Sequence, residues 1–199
     1  KLQPWIDLIE NYKNPHDKVD IAFVGKYVAN RDSYESINEA LLHGGIANRL
    51  KVQLHYIDSE LLTEENAVLQ LENMDGILVA PGFGERGTEG KIAAIKIART
   101  QQLPFFGICL GMQMAIIEFA RNVVGIEGAN SGENRPDHPE NVIDLMPEQS
   151  GHEETGGTMR LGSQTTVLKE SSLIAKIYNK TTISERHRHR YEVMNEFVP

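Results

Sequence analysis

Pro104-Phe105-Phe106-Gly107-Ile108-Cys109-Leu110-Gly111-Met112-Gln113 carries two rhythms across one joint. Pro104 to Ile108 is a short apolar run, read as a strand, and residues 110–121 have helical spacing. Between them stands Gly107-Ile108-Cys109-Leu110-Gly111, a Gly-x-nucleophile-x-Gly pattern of the nucleophile-elbow type. Small flanking residues let the chain turn sharply and leave the nucleophile on a strained backbone. The thiol then projects at a helix N-terminus, whose partial positive charge favours thiolate. The amide of Leu110 would point at a developing oxyanion. A buried cysteine in an ordinary strand-to-helix turn has the same spelling, so from spacing alone both readings stay open.

The same alternation extends upstream. Asp75-Gly76-Ile77-Leu78-Val79-Ala80 reads as a buried strand, and residues 88–101 as a helix with Ile92, Ile95 and Ile97 inside it. Residues 19–24 read as a strand, and Val52, Leu54 and Tyr56 alternate as another. Asp32 and Glu35 fit an N-cap with its box partner. Tyr34, Ile37, Leu41 and Gly44 then recur at helical spacing to about Arg49. Residues 63–71 read as a further helix. Strands separated by helices of this length imply right-handed crossovers and a parallel, two-faced sheet. Ligands of such sheets bind beyond the carboxyl ends of the strands, where the loops at 81–87 and 107–111 open. After Gly125 the alternation stops. Residues 126–160 are rich in Gly, Pro, Asn and Glu and read as a long excursion. Residues 165–168, 171–178 and 184–195 read as short elements without an assigned place. Residues 1–18 read as a lead-in, with a short amphipathic turn at Trp5, Ile6, Leu8 and Ile9 and a linker at Asn14-Pro15-His16-Asp17.

At 199 residues the chain has the length of one ordinary domain. Hydrophobic residues at 40% and charged residues at 24% are a globular balance, which argues against disorder. No apolar run approaches the ~18–20 residues of a membrane span, and the first residues carry no signal-peptide pattern. A net charge of −8 opposes nonspecific nucleic-acid binding, which is driven by phosphate neutralisation. Neither a membrane nor a nucleic acid is therefore an expected partner. Cys109 is the single cysteine, so it forms no internal disulfide. Thiolate zinc sites usually need two or more cysteines, and no metal is expected. The expected compartment is reducing and cytoplasmic.

Three further stretches compete for a role. Gly82-Phe83-Gly84-Glu85-Arg86-Gly87 spells G-x-G-x-x-G between a strand and a helix. A dinucleotide site would need an acid at the end of the next strand, and Gly107-Ile108-Cys109-Leu110 stands there instead. The better reading is a glycine loop lending a second backbone N–H to the oxyanion, with a plain tight turn as the simpler one. Gly84 to Lys91 imitates a phosphate loop and fails, with Glu85 in place of the first glycine and Ile92 in place of the Ser or Thr after the lysine. Arg186-His187-Arg188-His189-Arg190-Tyr191 is either a solvated basic face or, in so acidic a chain, a site for an anionic or zwitterionic ligand.

Around Cys109 the sequence resembles a known family. Gly107-Ile108-Cys109-Leu110-Gly111-Met112-Gln113 is similar to the nucleophile motif of the class I, triad-type glutamine amidotransferases. Residues 82–87, Arg121-Asn122-Val123, Gly156-Gly157-Thr158-Met159-Arg160-Leu161-Gly162 and residues 185–193 narrow the resemblance to the glutaminase domains of the CTP synthase family. The resemblance implies an α/β fold, a flavodoxin-like sandwich with a mostly parallel central sheet and helices on both faces. It implies that residues 1–18 are an interdomain linker and residues 19–199 the amidotransferase domain. It makes Cys109 the catalytic nucleophile and Gly82 and Leu110 the oxyanion donors. Glutamine would be held by Gly82, Leu110, Gly111, Met112, Gln113, Glu133, Arg190 and Tyr191. Glu133 suits the ammonium, and Arg190 a carboxylate by a two-pronged contact. Phe83, Arg86 and Arg160 would meet GTP, the family's allosteric activator.

The same resemblance implies a ligase. Ammonia from L-glutamine passes to a synthetase domain of the same polypeptide, where ATP and magnesium turn UTP into CTP in pyrimidine biosynthesis. No cofactor is expected in the glutaminase domain itself, and the full-length enzyme is expected to be a homotetramer. Three departures accompany it. The family's triad ends in a C-terminal His-x-Glu segment, and this sequence reaches Pro199 before any such segment, so the chain reads as incomplete; His138-Pro139-Glu140 imitates it by letters in the loop excursion and is read as a decoy, and His187 and His189 do not match the base. The family's Pro-Gly-Gly-Phe-Gly is here Ala80-Pro81-Gly82-Phe83-Gly84, and Pro81 stiffens the residue before the oxyanion donor. The synthetase domain lies outside the sequence. Two other readings stand beside this one: a thiol amidohydrolase of related fold acting on γ-glutamyl substrates, and a non-catalytic module for oligomer contacts.

Overall fold

The structure, a computed structural model, describes residues 2–145 and 160–198. Its first layer of order is four parallel strands: β1 (Asp17–Gly25), β2 (Leu50–Asp58), β3 (Gly76–Val79) and β4 (Phe105–Gly107), in spatial order β2-β1-β3-β4. That order is flavodoxin-like, with the switch point beside β1. Helices α2 (Glu35–Asn48), α3 (Glu64–Gln70), α4 (Thr88–Thr100) and α5 (Leu110–Phe119) alternate with these strands.

The pleat sorts the strands onto two faces. Ala22 and Val24 of β1 and Ile77 and Val79 of β3 share a core with Ala67 of α3, Ala94 and Ile95 of α4, and Leu110, Met114 and Ile117 of α5. The intervening Phe23 and Leu78 join Tyr34, Ala80 and the α2 residues Ile37 and Leu41 on the other face. Both faces are thus covered, which is why the strands read as apolar runs. Burying Phe23 completely is worth roughly 2–3 kcal/mol.

The remaining chain adds two small sheets. Strands β5 (Asn130–Ser131), β6 (Asn141–Leu145) and β9 (Tyr191–Val193) form one, with β5 and β6 parallel and β6 and β9 antiparallel. Strands β7 (Arg160–Val167) and β8 (Thr182–His189) form an antiparallel ribbon flanking the short helix α6 (Leu173–Tyr178).

Several boundaries differ from the expectations. The lead-in holds an eleven-residue helix, α1 (Gln3–Lys13), with Trp5, Ile6, Leu8 and Ile9 exposed, and β1 starts at Asp17. The Asp32–Glu35 box does not form. Asp32 lies inside a 3-10 turn (Arg31–Tyr34) and α2 starts from Tyr34 without a side-chain cap. The box appears instead at α3, where Thr63 accepts from Asn66 N–H and the Asn66 side chain accepts from Thr63 N–H. Helix α5 stops at Phe119, and the chain widens into a π turn over Ala120–Val124. The excursion after Gly125 contains β5 and β6. Residues 156–159 of the family-like segment lie outside the described residues. Among the described residues no helix is long and apolar enough to cross a membrane.

Candidate active site

Parallel pairing brings three strand ends to one edge. Val24 is level with Val79, and Val79 with Gly107. The residues that follow β1, β3 and β4 therefore meet: Lys26, the loop Ala80–Gly84, and Ile108-Cys109.

Cys109 has φ 53° and ψ −109°, a backbone that L-residues adopt only at a cost of ~1–3 kcal/mol. Its neighbours impose it. Ile108 N–H donates to Val79 O at 3.1 Å, and Gly111 N–H to Ile108 O at 2.9 Å. A Cβ on Gly107 would lie 2.6 Å from the Gly111 carbonyl carbon, and one on Gly111 would lie 2.1 Å from Val79 O. Only glycine lets the turn close this tightly.

The thiol is half-buried and contacts the carbonyl of Arg188 at 3.8 Å. Burial pushes it above the ordinary cysteine range, and the charge of Glu133 pushes the same way. The Leu110 N–H and the Lys91 ammonium oppose that rise without cancelling it. The helix N-terminus favours thiolate through the Leu110 amide as expected, but loss of water outweighs it.

Gly82 packs against Leu110, with a hypothetical Gly82 Cβ 3.5 Å from Leu110 Cδ2. The two expected oxyanion residues therefore lie side by side next to Cys109. Glu133, from the turn after β5, accepts from Gly84 N–H at 2.7 Å. Its charge is also felt at Cys109, Lys26, Lys91 and Tyr191. Gln113 is buried, and its Nε2 donates to Tyr191 O at 2.9 Å, tying α5 to β9. Burial raises the half-buried Tyr191, and the neighbouring Arg190 pulls it down. Cys109, Gly82, Leu110, Gln113, Glu133 and Tyr191 thus form one cluster, with Arg190 at its edge.

Other expected residues are placed differently. The Met112 side chain faces an apolar groove with Ile116 and Phe119. Phe83 is exposed, and Arg86 reaches Glu60 at 3.5 Å on the outer rim of the loop. Arg86 and Glu60 also border a polar cleft of about 340 Å³, with Thr88 and Arg135. Arg160 opens β7 opposite His189. His138 is engaged locally, its Nδ1 facing Glu140 N–H at 3.3 Å. His187 and His189 face each other at 3.0 Å on β8. Among the described residues neither the His138 nor the His187 imidazole is hydrogen-bonded to the thiol. Nor, among them, is any group of three or more His, Cys, Asp or Glu placed to hold a metal.

Two lysines stand at the site, and the sequence reading gave them no part in it. Lys26 is buried and donates to the carbonyls of Phe83 and Gly84, the latter at 2.7 Å. Lys91 is 0% exposed and donates to Ala80 O at 2.9 Å. A usable signal existed for Lys91. It shares an i, i+3, i+4, i+7 stripe with Ala94, Ile95 and Ala98, all buried.

The profile of the family "Glutamine amidotransferase class-I" matches residues 30–199. The chain is 54% identical over 197 residues to a CTP synthase of Geobacter metallireducens and 53% identical over 195 residues to one of Methanosarcina acetivorans. It spans 98% of its own length in both matches but only 37% and 36% of those relatives. A solved Trypanosoma brucei CTPS glutaminase domain with bound acivicin superposes with a TM-score of 0.82 at 41% identity, covering 90% of this chain and 70% of that one. The chain belongs to the class-I glutamine amidotransferases, in the branch formed by CTP synthase glutaminase domains.

Proposed function

We propose that this chain hydrolyses glutamine through a thioester on Cys109 and delivers the ammonia to a CTP-forming synthetase domain. The observation that carries the reading is the strained Cys109 turn with Gly82 and Leu110 packed beside it. The sulfur attacks the side-chain carboxamide carbon, and the carbonyl electrons move to oxygen. The N–H groups of Gly82 and Leu110 are suited to hold that oxyanion. Collapse of the adduct breaks the C–N bond, and the nitrogen leaves as ammonia with the proton that came from the thiol. Water then attacks the thioester, and glutamate leaves. Because burial keeps the thiol protonated at neutral pH, the first step needs a base to take its proton. The family assigns that proton to the histidine of its His-x-Glu pair.

Glu133 and Arg190 bring opposite charges to bear on Tyr191, which suits the zwitterionic end of glutamine. ATP, magnesium and UTP belong to the synthetase domain in this reading, and the compartment is the cytoplasm. The polar cleft beside Arg86 suits GTP as an effector, with Phe83 and Arg160 as further contacts. The full enzyme would be a homotetramer.

Acivicin tests the core of the reading. Incubation should add one reagent adduct to the Cys109 peptide in a mass spectrum, and millimolar glutamine should slow the addition. A Cys109→Ala variant should take up none. Labelling elsewhere, or labelling indifferent to glutamine, overturns the proposal.

A further inference from the structure

Nothing in acyl transfer as set out above uses Lys91. It lies in the first turns of α4, fully buried, beneath the loop that carries Gly82. Removing an ammonium from water costs several kcal/mol unless its surroundings repay it. Its bond to Ala80 O satisfies one of three N–H donors, and among the described residues no second acceptor is bonded to it. The nitrogen sits 3.5 Å from where a Gly82 Cβ would stand, and Leu110 Cδ2 is equally close to that point. The oxyanion loop is therefore pinned by groups from distant parts of the chain. Lys91 holds Ala80 O, Lys26 holds the carbonyls of Phe83 and Gly84, and Glu133 holds Gly84 N–H.

We propose that Lys91 is a positioning residue of the acyl-transfer site: its buried ammonium anchors the loop carrying Gly82 and supplies a fixed positive charge toward which the Cys109 sulfur ionises. The inference rests on Cys109 being the nucleophile. The charged groups around Lys91 are Lys26 from the end of β1, Glu133 from the turn after β5, and Cys109 at the start of α5. Burial and Lys26 lower its pKa to about 8, while Cys109 and Glu133 raise it. Its charge is thus largely present at neutral pH, where acyl transfer must draw the proton off the thiol, and is lost as pH rises through about 8.

The test is alkylation of Cys109 by iodoacetamide, a neutral reagent, between about pH 6 and pH 10. Lys91→Met keeps the volume of the side chain and deletes the charge. Its alkylation profile should shift most at pH 7, where Lys91 is charged, with a rate roughly tenfold below the parent's. Lys91→Arg, which keeps a charge at that position, should return most of the shift. The parent should also titrate over a wider range than a single ionisation, because loss of either proton makes the other harder to remove. That second measurement stands even if the variants fail to fold. Superimposable profiles for parent and Lys91→Met, or a single-ionisation curve in the parent, overturn the inference. If acivicin still labels Cys109 in that case, the proposed function survives and only the role of Lys91 falls.

Discussion

Two loops form the candidate site, and they are held by opposite means. The turn Gly107–Gly111 is held by its own neighbours in sequence and by one strand. Its glycines lie where side chains would overlap backbone atoms, and its hydrogen bonds run to Val79 and Ile108. The loop Ala80–Gly84 is held from afar, by Lys26, Lys91 and Glu133. The first loop depends on volume and the second on charge. A loop held by volume resists pH, whereas one held by buried charges responds to it, with little screening by salt.

Substitutions can break this contrast. Gly111→Ala should have the largest effect, because its Cβ would stand 2.1 Å from a backbone oxygen that cannot turn away. A loss of about 3 kcal/mol, near the upper end for overpacking, should appear as a lower midpoint in urea. A midpoint within error of the parent would show that the elbow yields more than its packing implies.

Lys91→Met should act with opposite sign. The folded pKa of about 8 lies below the ordinary 10.5, so the folded state holds this proton less tightly than the unfolded chain. The handicap is complete below pH 8, fades between 8 and 10.5, and is gone above. At pH 7 the variant should be more stable by up to about 3 kcal/mol, and the gap should close as pH rises through that window. A gap that is the same at pH 7 and pH 10 would contradict the burial of this charge. Higher stability with poorer ionisation of Cys109 would mark Lys91 as placed for function at the expense of folding.

Glu133→Ala removes the carboxylate that faces both the loop and the proposed ammonium position. The apparent KM for glutamine should rise by ten- to a hundredfold, the scale of a lost charged partner. Alkylation by a neutral reagent should change far less, and equal effects on both would remove the ammonium role. Gly84→Ala should be the mildest. Nothing stands within 4 Å of its Cβ position, so the cost is that of φ 71° alone, roughly 1 kcal/mol. A loss as large as that of Gly111→Ala would erase the distinction between the two loops.

Much of this site is legible in one dimension, and the reasons are local. The elbow is spelled in five consecutive residues, since its constraints act within one turn. The strands were readable because both faces of the sheet are covered, leaving apolar runs at β1 and β3. The cap at Asp32 misled because its box spelling is present while the chain there winds into a 3-10 turn. The thiol misled for a different reason. A helix N-terminus can be read from sequence, but the water lost around a sulfur depends on what the rest of the chain packs over it.

Order along the chain therefore determined the alternation of strand and helix, and the elbow with Cys109 at its apex, because steric rules reach only a few residues. Tertiary structure alone decided that Lys26, Lys91 and Glu133 converge on Ala80–Gly84. It also decided that Gln113 ties to Tyr191, and that the cysteine sits above its ordinary pKa. Desolvation and Coulomb attraction act through space, and only the parallel alignment of β1, β3 and β4 brings those distant groups to one edge.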